Sequence, residues 1–221
     1  MTNTRIRTFA AAVLAAAAVA SAALAPPAAA QGHTHGHSHA PAAAPAPGDT
    51  GRWTAADVRF MSKMIGHHAQ AIQMAQLAPQ RAATPSVRTL AERIINAQRD
   101  EILTMQQWLR DRRQPVPEAE PHTAGHAGHG GGELMPGMLT PAQLAELERA
   151  RGAEFDRLFL TYMIQHHRGA TQMVSELFSS YGAGQDETVF KFASDVNVDQ
   201  ATEIARMQRM LAGVMFGSTV P

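Results

Sequence analysis

The chain has 221 residues and balances 19 Lys and Arg against 19 Asp and Glu. With no basic surplus, binding to a phosphate backbone is excluded as the default reading; with no Cys, so are a disulfide framework, a thiolate zinc site, an iron–sulfur cluster and covalent CxxCH haem. What the chain has in excess is 11 His and 12 Met, imidazole and soft thioether without thiol.

Residues 1–30 read as a secretory signal peptide. Arg5 and Arg7 form the positive start, Phe9–Leu24 an Ala/Val/Leu run, and Ala28-Ala29-Ala30 a small-residue cleavage signal before Gln31. The apolar run is short for a membrane span, and an uncleaved N-terminal anchor is the alternative. Once cleaved, the chain is expected to be periplasmic or secreted, with a slight acidic excess and membrane contact only through the signal segment. Residues 31–52 are a Pro/Ala/Gly/His-rich tail, expected to be disordered because it cannot bury enough apolar surface to offset ordering entropy.

Folded structure is expected to start at residue 53. Thr54-x-x-Asp57 is a capping-box-like start for a helix near 54–78, which Pro79 ends. Thr84-Pro85 opens a second helix near 86–112. Residues 113–139, rich in Gly and Pro, form a flexible linker carrying His122, His126, His129 and then Met135-Pro-Gly-Met138. Thr140-Pro141 starts a short helix over 141–150, and Gly152 marks a break. Long helices follow near 153–179 and 186–215, separated by the Tyr181–Gly184 stretch. No period-2 alternation predicts a sheet.

The helical part is an internal duplication. Asp57, Phe60, Met64, Ile65, His67, His68, Ala71, Gln73 and Met74 recur as Asp156, Phe159, Met163, Ile164, His166, His167, Ala170, Gln172 and Met173, at a constant offset of 99. A weaker match follows each copy: Gln98-x-x-Glu101-Ile102-x-x-Met105 against Gln200-x-x-Glu203-Ile204-x-x-Met207. Each half is therefore one helical hairpin, 53–112 and 140–221. The spans 53–112 and 140–216 together predict a single all-α four-helix bundle domain.

At about 100° per residue, Met64, Phe60, Met61, His67, His68, Ala71 and Met74 share one core-facing arc, while Arg59, Ser62, Ala69, Gln70 and Gln73 fall on the other side. The second copy behaves alike around Met163. On the partner helices Gln98 and Glu101, and Gln200 and Glu203, lean inward. Four imidazoles and several carboxylates inside an apolar bundle are costly unless they satisfy one another or hold an ion.

Met64 precedes His67 and His68 by three and four residues, so thioether and imidazole can meet on one face. Met163 stands likewise to His166 and His167. Carboxylate-bridged di-iron bundles place Glu three residues before His, where this chain has Met. Thioether with imidazole suits Cu(I), and by extension Ag(I); hard cations do not need the sulfur. The primary ligand candidates are Met64, His67, His68, Met163, His166 and His167. Met61, Met74, Met105, Met173 and Met207 are further candidates, and Asp57, Glu101, Asp156 and Glu203 are expected to accept the other imidazole N–H. His33, His35, His37, His39, His122, His126, His129, Met135 and Met138 form a capture set outside the bundle, where imidazole also takes Cu(II).

At these motifs the chain resembles the bacterial domain-of-unknown-function family 305, the CopM-like copper-binding proteins. The resemblance rests on Phe60-Met61-Ser-Lys-Met64-Ile65-Gly-His67-His68, on Phe159-Leu160-Thr-Tyr-Met163-Ile164-Gln-His166-His167, and on Met135-Pro-Gly-Met138-Leu139 before the second copy. It covers residues 54–216. It implies a ferritin-like four-helix bundle, export, and copper binding in periplasmic copper tolerance. Two features depart from the pattern: the His tract at 33–39, and Leu160 at the position equivalent to Met61.

The sequence thus predicts a non-enzymatic exported protein that sequesters or carries Cu(I), or Cu(II) at the tails, in metal tolerance or homeostasis. Its partners are metal ions and an unidentified export or copper-handling protein, with no nucleic acid. The alternatives are a bundle holding non-covalent haem between His and Met, a di-metal redox enzyme built on the inward acids, and a metal-free helical module.

Overall fold

The computed structural model describes residues 52–120 and 134–216. The signal-peptide segment, the capture residues His33, His35, His37 and His39, and the linker's His122, His126 and His129 lie outside the described residues.

Six helices form: α1 (Ala55–Ala75), α2 (Ala78–Arg81), α3 (Pro85–Asp111), α4 (Pro141–Arg149), α5 (Gly152–Ser179) and α6 (Glu187–Phe216). The caps do what their chemistry allows. The Thr54 hydroxyl accepts from the amides of α1's first turn while the Asp57 carboxylate reaches back to the Thr54 N–H. Thr84 caps α3, and Thr140 makes a full capping box with Gln143 on α4. The first helix ends at Ala75, sooner than its pattern predicts; Pro79 does not terminate it but sits in the first turn of the short α2. Gly152 begins α5 with φ +64°, a left-handed conformation that turns the chain out of α4. Among the described residues there is no strand, only an isolated bridge between Ala82 and Gly152. None of the described helices is long and apolar enough to cross a membrane.

Helix α1 packs on α3, α5 packs on α6, and the two hairpins meet through α1 and α5. The apolar interior falls into two clusters. One gathers Phe60–Ile65 of α1, Ile102–Leu109 of α3, Ala170–Leu177 of α5 and Val189–Val196 of α6. The other gathers Ala71–Ala75 of α1, Val87–Ile94 of α3, Phe155–Ile164 of α5 and Met207 of α6. On all four long helices the change of cluster falls at the polar residues of the repeat: His67 and His68, Gln98 and Glu101, His166 and His167, Gln200 and Glu203. The early part of α1 meets the late part of α5, so the two cross antiparallel, with the His67 and His166 rings 3.9 Å apart between centroids.

Part of the segment expected to be a flexible linker is a fixed strap. Residues 134–139 run across the α1–α5 crossing. Gln70 Nε2 donates to the Leu139 carbonyl at 3.1 Å, and the Leu139 N–H donates to Gln70 Oε1 at 2.7 Å. Gln165 donates to the Gly137 carbonyl at 3.3 Å. Gly137 and Gly169 let two backbones touch: a Cβ on Gly169 would lie 1.9 Å from the Pro136 oxygen. The strap covers part of the face of α1 that the helical arc assigns to solvent, so Gln70 is buried; Ala69, from the same face, is buried on the side toward α3. Met138 is buried with it, at 4% exposure, and is not a free capture ligand.

Candidate metal centre

The layer between the two clusters holds four buried imidazoles: His67, His68 and His167 are fully buried and His166 is 1% exposed. Helical spacing puts them there, since consecutive positions lie about 100° apart and each His pair straddles the centre of its helix's core-facing arc. The His68 Nε2–H donates to Glu101 Oε2 at 2.7 Å, and the His167 Nε2–H donates to Glu203 Oε2 at the same 2.7 Å. The two hairpins thus repeat this pairing atom for atom. Glu101 and Glu203, at 19% and 22% side-chain exposure, connect the buried rings to the surface. The His67 Nε2–H donates instead to the strap carbonyl of Pro136 at 3.0 Å.

An imidazole whose Nε2 carries the proton presents a lone pair at Nδ1. The Nδ1 atoms of His67, His68 and His167 are buried without a hydrogen-bond partner, as are both ring nitrogens of His166 and the amide groups of Gln98 and the Gln200 oxygen. Buried polar atoms without partners are uncommon, and here they share one layer. Burial, reinforced by the neighbouring His68, pushes the His67 pKa down to about 3. Burial and the nearby His67 hold His166 well below its ordinary value. Both rings are therefore neutral at physiological pH, the form that ligates metals.

The methionines flank this layer. Met61, Met64, Met105 and Met173 belong to one cluster, and Met74, Met163 and Met207 to the other. The six primary candidates are accordingly not one site. Met64 and Met163 lie on opposite sides of the imidazole layer, each with a methionine lent by the other hairpin, Met173 or Met74. Among the described residues no three His, Asp or Glu side chains converge where they could hold an ion. The donor set at hand is imidazole and thioether, which fits Cu(I) and Ag(I) and does not fit a hard cation.

The four acids divide by role. Glu101 and Glu203 orient imidazoles. Asp57 and Asp156, expected to do the same, are fully buried but tie loops. Asp57 accepts from the N–H of Thr54 at 2.6 Å and of Gly184 at 2.7 Å. Asp156 accepts from the N–H of Ala83 and of Thr84, both at 3.0 Å. Each lies ten or more residues before its His pair, about 15 Å along the helix axis, and fastens the turn of the opposite hairpin. Gln70 and the Pro136 carbonyl are the residues of the site that helical periodicity missed; the Pro136-Gly137 pair and Gly169 were the available signals for a close backbone approach.

A family model described as domain of unknown function DUF305 matches residues 57–211, which contain both His-bearing helices and both partner helices. This chain belongs to the DUF305 family. Solved DUF305 structures share the fold. A DUF305 fragment from Deinococcus radiodurans is 31% identical, with 72% of this chain and 97% of that one covered and a TM-score of 0.61. CopM in its Cu(II)-bound form is 31% identical over 71% of this chain and 96% of its own, with a TM-score of 0.56. CopM in its Cu(I)-bound form is 30% identical over 73% and 97%, with a TM-score of 0.55, and CopM has also been solved with silver bound. Comparison with the curated proteins gave no match. The all-helical class read from the DUF305 sequence pattern is therefore the fold observed.

Proposed function

We propose that this DUF305 protein is an exported, non-enzymatic binder of soft monovalent copper that sequesters or carries Cu(I) and accepts Ag(I). Copper is its cargo. The observation that carries the reading is the layer of four buried imidazoles with unpartnered nitrogens, walled on both sides by methionine. Such a layer costs stability unless an ion or another polar group repays the lost hydration. Glu101 and Glu203 raise the basicity of His68 and His167 and fix which nitrogen faces the interior. The copper- and silver-bound CopM structures support the choice of ion. The His tract at 33–39 and the linker His122, His126 and His129 add weaker capture sites that take Cu(II) as well.

The test is an anaerobic Cu(I) titration of the full chain against a chromophoric chelator, beside a variant with His67, His68, His166 and His167 replaced by Leu. Wild type should hold Cu(I) tightly, and the variant should keep only the weak binding of the tails, with its helical circular dichroism intact. Equal capacity and affinity in the two proteins would refute the assignment. Export is checked by finding the processed chain, beginning at Gln31, outside the cytoplasm.

A further inference from the structure

The duplication makes two methionine groups, and the structure treats them differently. Met64, Met105 and Met173 on one side correspond through the repeat to Met163, Met207 and Met74 on the other. The fourth buried position is Met61 in the first group and Leu160, without a donor atom, in the second, whose remaining thioether, Met210, is only half-buried against the cluster.

Access differs too. The first group adjoins a cavity of about 620 Å³ that opens to solvent and is lined by Phe60, Met135 and Met173. Of the seven methionines, Met173 alone is not fully buried, at 6% exposure. Met135, half-buried on the strap, packs against the same cluster. Met135 and Met173 thus put two thioethers on the cavity wall, next to the cluster that holds Met61, Met64 and Met105. Arg59 and Lys63 outweigh Glu176 around that mouth, so charge does not draw a cation in; the sulfurs do. The second group's cluster also borders a cavity, of about 590 Å³, at Ile164 and Leu211, but no methionine lines it. Leu139, Leu144 and Leu147, from the strap and α4, are buried into its cluster.

We propose that a soft monovalent cation enters this protein past Met135 and Met173, the methionines on a cavity wall, and loads the group of Met61, Met64, Met105 and Met173 before the group of Met74, Met163 and Met207. This inference rests on the reading that the bundle binds such ions, and it adds which site fills first and by what route.

The experiment is a silver nitrate titration of the full chain carrying 13C-methyl methionine, followed by the methyl resonances. Ag(I) is soft and does not change oxidation state under these conditions. The methyls of Met61, Met64, Met105 and Met173 should move first, and those of Met74, Met163 and Met207 only at higher silver ratios. Met173→Leu should weaken the first event by about tenfold or more. Leu160→Met should narrow the gap between the two events. Simultaneous movement of both groups, or earlier movement of the second, overturns the inference while leaving copper binding intact. No movement of any of the seven overturns the inference together with the functional reading beneath it. The wild-type titration needs no variant, so a failure of Met173→Leu to fold does not remove the test.

Discussion

Helices α1 and α5 carry the same motif in opposite surroundings. Each presents a His pair, a Met three residues before it and a glutamate partner at 2.7 Å from the partner helix. Around α1 the strap supplies an acceptor for His67, while its repeat-equivalent His166 has none. Around the beginning of α5 the leucines of α4 close the core, while the end of α5 borders an open cavity. The difference teaches where duplicated chemistry is kept and where it diverges. The His pairs, their glutamates and the Asp ties to the opposite turn are kept in both halves; the strap, α4 and Leu160 in place of Met61 set them apart.

The largest effect should come from acid. In the metal-free protein His67 has its pKa lowered from 6.5 to about 3, and His166 is lowered in the same direction. The unfolded chain then binds protons that the folded chain refuses. Stability is therefore complete above about pH 6.5 and is lost progressively as pH falls toward 3, by several kcal/mol. Urea unfolding at a series of pH values measures it. His67→Leu should flatten the slope; an unchanged slope would mean that the two central rings do not share one buried layer.

Next is Gly169→Ala. The added carbon meets the Pro136 oxygen, so the strap must lift, at a cost of about 1–3 kcal/mol. Chemical denaturation reads the cost, and loss of the His67 bond should follow in the imidazole resonances. The matching change on the other helix, Gln70→Ala, removes two strap hydrogen bonds without a clash and tests whether the strap is held mainly by fit or by bonding.

Glu101→Gln and Glu203→Gln come third. Each should lower Cu(I) affinity by about 10–100-fold, and by equal amounts, because the two pairs are geometrically alike. Competition with a calibrated chelator decides the matter, and unequal losses would show that the symmetry of distance is not one of energy. The smallest effect is that of Thr140→Ala. Removing the cap of α4 should cost about 1 kcal/mol in thermal unfolding and make the covered methionine group easier to reach.

Much of this was legible in the sequence because it is governed by local period. The four long helices, the threonine caps of α1, α3 and α4, the duplication and the inward face bearing His and Met all follow from spacing along one chain. The roles of Glu101 and Glu203 were legible for the same reason. Asp57 and Asp156 share the arc of the histidines, which points to imidazole partners, but an arc gives direction and not depth: each lies near its helix's first turns and meets a loop amide. Helical periodicity points Gln70 to solvent because it has no knowledge of residues 134–139 lying over α1. The division of methionines into two groups follows from the antiparallel crossing of α1 and α5, a long-range fact that no window along the sequence contains.

The depth of the seven core methionines has a chemical consequence. Peroxide turns an accessible thioether into a sulfoxide, a polar group that has lost its soft character. Met215, at 61% exposure, and the half-buried Met135 lie in the path of such oxidants, with Met173 on the cavity wall next in line, whereas the six fully buried sulfurs are shielded by the same packing that hides them from water. Ageing of the protein should therefore begin at its rim, with Met135 as the first casualty near the cavity and the interior donors spared until the helices themselves come apart.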